Sequence, residues 1–243
     1  MHIISTKPLS LSTLKTIVFE GAPIELSDDA IQKIQECRDY LNKKIETTSD
    51  PIYGINTGFG SLCDVRIHSE NLTKLQENLV RSHACGTGDL VPHPIIKLML
   101  LLKIKSLSFG HSGVQLETVK RLISFYNNDI LPVIYTQGSL GASGDLAPLA
   151  HLALPLIGEG MVWYKGVQTT AAEVLKIFDW KPITLQSKEG LALLNGTQFM
   201  TAYGVHSLLK SFKLSYIADL VGAMSLDAYD GRIEPFDSLV HLV

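Results

Sequence analysis

Cysteine is scarce and does not pair. Cys37, Cys63 and Cys85 are the only three in 243 residues, and none forms a Cys-x-x-Cys spacing. That pattern gives no disulfide framework and suits reduced thiols in the cytoplasm. An excess of one charge is lacking too. The formal net charge is -3, and Lys and Arg are scattered instead of interleaved with aromatics along a stripe, which argues against nucleic acid as a partner. No hydrophobic run is long enough to cross a bilayer: the most apolar stretch, Ile95 to Leu107, is interrupted by Lys97, Lys103 and Lys105. The opening Met1-His2-Ile3-Ile4-Ser5-Thr6-Lys7 lacks the charged lead and apolar core of a secretory signal. Repeats and low-complexity segments are missing as well, and cytoplasm is the expected location.

What is present is apolar and helical. A hydrophobic share of 46% and a mean hydropathy of +0.19 supply a core and leave apolar surface over, which predicts burial between subunits. Ser27 reads as an N-cap, with Asp28 and Asp29 in the first turn and Ile31, Ile34, Cys37, Leu41 and Ile45 at helical spacing. Helices are also predicted over Leu72 to Ser82, Ile95 to Leu107 behind Pro94, Leu116 to Tyr126, Asp145 to Ile157, and Thr197 to Tyr229 with interruptions at Gly204 and Gly222. Strand signal is thin, confined to a hairpin at Met161 to Gln168 turning on Gly166. The expected fold is therefore mainly α. A loop-rich N-terminal domain (1–196) with a minor β hairpin leads into a long-helix bundle that begins in 197–243.

Four stretches carry chemistry. In Gly138-Ser139-Leu140-Gly141-Ala142-Ser143-Gly144-Asp145-Leu146-Ala147-Pro148 an Ala-Ser-Gly triplet stands before an apolar helix. Such a triplet can cyclise if the Gly144 nitrogen attacks the Ala142 carbonyl carbon. Loss of two waters, one carrying off the Ser143 hydroxyl, then leaves an exocyclic methylidene. Gly144 has no Cβ to obstruct the turn, and Ala142 is small. A plain glycine turn ahead of a helix is the alternative for the triplet alone. In Tyr53-Gly54-Ile55-Asn56-Thr57-Gly58-Phe59-Gly60 the glycines exclude a helix and make a shaped loop that presents Tyr53. A phenol with its usual pKa of about 10 needs hydrogen bonds or positive charge to act as a base; a buried ring with a satisfied hydroxyl is the alternative. In Leu191-Ala192-Leu193-Leu194-Asn195-Gly196-Thr197 an amide interrupts an apolar run, as a site residue or as the N-cap of the next helix. In Arg81-Ser82-His83-Ala84-Cys85-Gly86-Thr87-Gly88, His83 closes a helix, where the dipole favours a cation.

Taken together, these blocks and the segment GSLGASGDLAPLAHLALPLIGEG from Gly138 to Gly160 resemble the histidine and aromatic amino-acid ammonia-lyase family over essentially the whole chain. The resemblance implies a methylidene-imidazolone (MIO) group formed from Ala142-Ser143-Gly144, with no external cofactor and no metal. It implies Tyr53 as the base at the substrate β-carbon, Asn195 beside the ring, and His83 facing the substrate side chain. A histidine there can hydrogen-bond an imidazole, so L-histidine, deaminated to trans-urocanate and ammonia, is the expected substrate. Tyrosine ammonia-lyase or aminomutase activity remains open, since some tyrosine-specific relatives carry the same Ser-His pair. The family's carboxylate-binding arginine and its homotetramer draw on later sequence. The apolar ending Ser238 to Val243 reads as an N-terminal portion, so a fragment that only folds and self-associates is a further alternative. A serine-hydrolase elbow is excluded by glycine placement, a dinucleotide or phosphate loop by the spacing of Gly138, Gly141 and Gly144, and zinc by the spacing of His83, Cys85 and His93.

Overall fold

The structure, a computed structural model, describes residues 1–48, 50–63, 65–68, 71–140 and 144–242. It contains two compact units, Met1–Tyr203 and Gly204–Val243. In the first, strands β1 (His2–Ile4) and β2 (Ile24–Leu26) pair in parallel across helix α1 (Leu11–Phe19). Helix α2 (Asp28–Thr47) starts at Ser27, whose side chain accepts from the Ala30 amide, as the acidic first turn predicts. Helix α3 (Leu72–His83) is followed by β3 (Thr87–Leu90), α4 (His93–Leu107), α5 (Leu116–Asn127), β4 (Leu131–Pro132) and β5 (Tyr135–Gln137). Next come α6 (Leu146–Ala153), which tightens into a 3-10 turn at Leu154–Ile157, and the hairpin β6 (Met161–Tyr164) and β7 (Val167–Thr170). Its turn residues Lys165 and Gly166 both have positive φ, 51° and 79°, the twist-matched geometry for a two-residue hairpin. Thr170 and Glu173 form a capping box on α7 (Ala171–Ile177). Helices α8 (Glu189–Leu194) and α9 (Gln198–Ala228) complete the set.

Helix α4 is the centre of the core. Ile95, Ile96, Leu98, Met99, Leu100, Leu101 and Ile104 are buried, so its apolar residues all round meet neighbours all round. Its three lysines part company. Lys97 reaches Asp129 at 2.5 Å, Lys105 reaches the carbonyls of Ser5 and Lys7, and Lys103 stays inside.

The mainly α expectation holds, with differences of detail. The strands beyond the hairpin escape a sequence reading because two to four residues carry no alternation. The helix expected from Asp145 begins instead at Leu146, because Asp145 is left-handed at φ 59°. Helix α9 runs unbroken through Gly204 and Gly222, at a propensity cost of about 1 kcal/mol for each glycine. In the second unit its apolar side chains, among them Phe212, Leu214, Leu220, Val221 and Met224, are exposed.

Candidate active site

Helix α8 is short and is held from several sides. The Glu189 carboxylate, fully buried at its start, accepts from the Gln115 amide (2.9 Å), the Gln115 side chain (2.5 Å), the Thr118 hydroxyl (2.6 Å) and the Gln186 amide (2.8 Å). Four donors repay the desolvation of one buried carboxylate. Arg38 braces the preceding turn by donating to the Ser187 and Gly113 carbonyls. The next residue must be glycine: a Cβ at Gly190 would lie 2.6 Å from the Gln76 carbonyl oxygen of α3. One residue later, Leu191 packs where a side chain on Gly54 would have to go.

That last contact ties the Tyr53 loop to α8. Gly54 takes φ 72°, which frees the loop to turn there. The loop is stitched internally: the Asn56 side chain accepts from the Ile52 amide (2.6 Å) and donates to the Asp50 carbonyl (2.9 Å), while the Gly58 amide donates to the Val65 carbonyl (3.0 Å). Tyr53 itself is 55% exposed, its ring edge-to-face with Phe59 at 6.1 Å. The alternative of a buried aromatic therefore does not describe it.

His83 ends α3, half-buried, with Nδ1 at 2.9 Å from the Leu79 carbonyl oxygen. A carbonyl only accepts, so this bond puts a proton on Nδ1, which the Ser82 hydroxyl also faces at 3.1 Å, and in the neutral imidazole Nε2 is then the acceptor. Beyond it the chain turns, and the Gly86 amide donates to His151 Nε2 at 3.0 Å. His151 belongs to α6, so the segment after His83 is fastened to the helix that follows the triplet. Burial lowers the His151 pKa, which keeps the accepting nitrogen unprotonated.

Of the triplet, Ala142 and Ser143 lie outside the described residues. Gly144 is at φ 70°, and the Met200 methyl stands 4.0 Å from where its Cβ would be. Asp145 is 0% exposed, and its carboxylate accepts from two donors in different places. Ser139 Oγ donates to Oδ1 at 2.6 Å, the Asp145 amide returns a bond to Ser139 Oγ at 3.2 Å, and the Met200 amide donates to Oδ2 at 3.0 Å. Ser139 and Asp145, on either side of the triplet, are thus pinched together and joined to the first turn of α9. There the carboxylate sits at the positive end of that helix.

Asn195 closes α8; it does not start α9. Its backbone is extended, and Nδ2 donates back to the Leu191 carbonyl at 3.1 Å. The N-cap position of α9 falls to Thr197, whose carbonyl receives the Thr201 amide at 2.9 Å. Lys103 approaches from α4: its Nζ donates to the Asn195 carbonyl at 3.0 Å and the Ala192 carbonyl at 3.3 Å. Only 1% of Lys103 is exposed, and burial pulls its pKa down to about 7, with the Asp145 charge acting in the other direction. Lys103 and His151 were both missed in the sequence: Lys103 is one of three lysines in α4, and His151, although the one polar residue of α6, has its partner far along the chain.

The Tyr53 loop and Gln76 of α3 pack against α8, Asn195 ends α8, and the Asp145 carboxylate is bonded to the start of α9 just beyond it. Among the described residues no group of three His, Cys, Asp or Glu side chains is placed to hold a metal ion. No helix among them is long and apolar enough to cross a membrane.

The family profile described as aromatic amino acid lyase matches residues 9–243. The chain is 43% identical over 241 residues to a histidine ammonia-lyase of Halalkalibacterium halodurans, covering 99% of this chain and 47% of that protein. It is 46% identical over 239 residues to a histidine ammonia-lyase of Legionella pneumophila (strain Lens), covering 98% and 47%. A crystal structure of histidine ammonia-lyase from Trypanosoma cruzi superposes with a TM-score of 0.89 at 36% identity, covering 98% of this chain and 47% of the other. The chain spans about half the length of the curated relatives it matches.

Proposed function

The chain belongs to the aromatic amino acid lyase family, and from that premise we propose that it forms the N-terminal part of a histidine ammonia-lyase active site, converting L-histidine to trans-urocanate and ammonia. The observation that carries this reading is the packing of α8, which ends at Asn195, against the Tyr53 loop and against Gln76 of α3, the helix that His83 closes, with Asp145, next to the triplet, bonded to the Met200 amide of α9. The histidine ammonia-lyases among the relatives support the substrate class.

A methylidene-imidazolone made from Ala142-Ser143-Gly144 fits the residues around it. The Ser139–Asp145 bonds hold the residues flanking the triplet together, and Gly144 holds a positive φ with nothing among the described residues nearer than the Met200 methyl, at 4.0 Å, to the place of its missing Cβ. That group supplies an electrophilic carbon toward the substrate amine. The chain's own residues do the remainder. Tyr53, exposed on its loop, removes a proton from the substrate β-carbon. His83, with Nε2 as acceptor, receives the N–H of the substrate imidazole. Asn195 orients the amine at the end of α8. A homotetramer completes the site and covers apolar surface.

Two measurements on the full-length protein test this. Intact mass should fall short of the sequence by two waters, and L-histidine should yield urocanate absorbance. Ser143→Ala should restore the unmodified mass and abolish urocanate formation. Normal turnover in that variant would overturn the reading, and faster turnover of tyrosine than histidine would overturn the substrate.

A further inference from the structure

Asn195 stands in a break between two helices, and each helix presents an end with unsatisfied groups. The C-terminus of α8 offers carbonyl oxygens and the negative end of its dipole; the N-terminus of α9 offers amide hydrogens and the positive end. Opposite charges meet both ends. The Lys103 ammonium takes the Ala192 and Asn195 carbonyls, and the Asp145 carboxylate takes the Met200 amide. Both charged residues are buried, at 1% and 0% exposure.

The packing of α4 asks for no such cation. Leu100, Leu101 and Ile104 around Lys103 are fully buried aliphatics, and a methionine would fill the same space without desolvating a charge. Replacing a buried ion by a well-packed apolar side chain is often neutral or stabilising, so stability does not account for the lysine. The lowered pKa of Lys103 states the same cost from the side of protonation. What the ammonium does hold is the main chain of Asn195.

We propose that Lys103 is a positioning residue that fixes the helix break, and through it the orientation of the Asn195 side chain, for the lyase reaction. This rests on the role of Asn195 proposed above. Lys103 acts through the Asn195 and Ala192 carbonyls and touches neither substrate nor the reacting atoms.

The test is a double-mutant cycle in the full-length protein: wild type, Lys103→Met, Asn195→Ala and the pair, each followed by urocanate formation and intact mass. Lys103→Met should lower kcat on the order of a hundredfold while KM stays within about twofold, because a misplaced catalytic group is lost in the transition state and not in substrate binding. It should keep the two-water mass deficit and melt no lower than wild type. The pair should lose no more than Asn195→Ala alone, since one residue acts through the other. Additive losses, or a fall in kcat matched by a fall in melting temperature, would overturn the proposal. Lys103→Gln, which retains an N–H donor without charge, enters the same cycle if the methionine variant does not fold; it should lose less kcat and remain non-additive. A wild type lacking both the mass deficit and urocanate would overturn the underlying reading together with this one. A modified, active wild type with an additive cycle overturns this one alone.

Discussion

Lys103 and Tyr53 make opposite uses of solvent. Lys103 pays for its burial in protonation: its pKa stands near 7 against an ordinary 10.5. Between those values the unfolded chain binds more protons than the folded one, so this residue makes stability rise with pH across that window. Below it the ammonium is charged in both states and the desolvation cost is fully present. Lys103→Met should therefore raise the urea midpoint most at about pH 6 and progressively less toward about pH 10, as paired unfolding curves would show. Tyr53, exposed on its loop, can change without disturbing a core. Tyr53→Phe should keep the two-water mass deficit and lose turnover by about 10²- to 10⁴-fold, the usual worth of a general base; steady-state kinetics beside intact mass separates the two effects. Tyr53, His83 and Asn195 stand out as candidates in the sequence because each sits in a short motif. Lys103 and His151 do not, because their partners lie 92 and 65 residues away and nothing local marks them.

At the level of elements, legibility followed length. Helices α2 and α5 show their period plainly and α4 and α9 stand out as long apolar runs, whereas α8, six residues long, has room for less than two turns of pattern. Yet α8 carries Asn195 at its end and packs against the Tyr53 loop, and what places it is tertiary: the Glu189 donors, the Gln76 carbonyl and the Gly54 contact. Gly190→Ala tests that placement. Helix propensity favours alanine by about 1 kcal/mol, but its Cβ would meet the Gln76 main chain at 2.6 Å. The clash should win, costing about 1–3 kcal/mol by denaturant unfolding. The bond from Gly86 to His151 makes a second test at this scale. With its folded pKa lowered, His151 contributes stability at pH above its ordinary value of about 6.5 that is lost as pH falls, because unfolding then takes up a proton. Amide exchange at Gly86, corrected for its intrinsic pH dependence, should lose protection as the solution is acidified, and His151→Phe should remove that pH dependence.

At the scale of the whole molecule, the apolar excess seen in the composition has a location. Much of it lies on the α9 residues of the second unit, where Phe212, Leu214, Leu220, Val221 and Met224 are exposed on a single helix. Such a surface seeks cover. The 26.7 kDa chain should therefore scatter light as an oligomer, and Leu220→Lys with Val221→Lys should shift it toward the monomer mass with far-ultraviolet helicity unchanged. A monodisperse monomer before substitution would contradict this. The Asp145 pinch also has a history in time. Ser139 and Asp145 are six residues apart and can join as soon as that stretch leaves the ribosome, but Met200, the other holder of the carboxylate, is translated 55 residues later. At ordinary elongation speeds that gap lasts about 3 to 10 seconds. With the triplet dehydrating as proposed, nascent chains arrested on either side of Met200 should differ in whether they shed water, and that loss would then serve as a clock on synthesis.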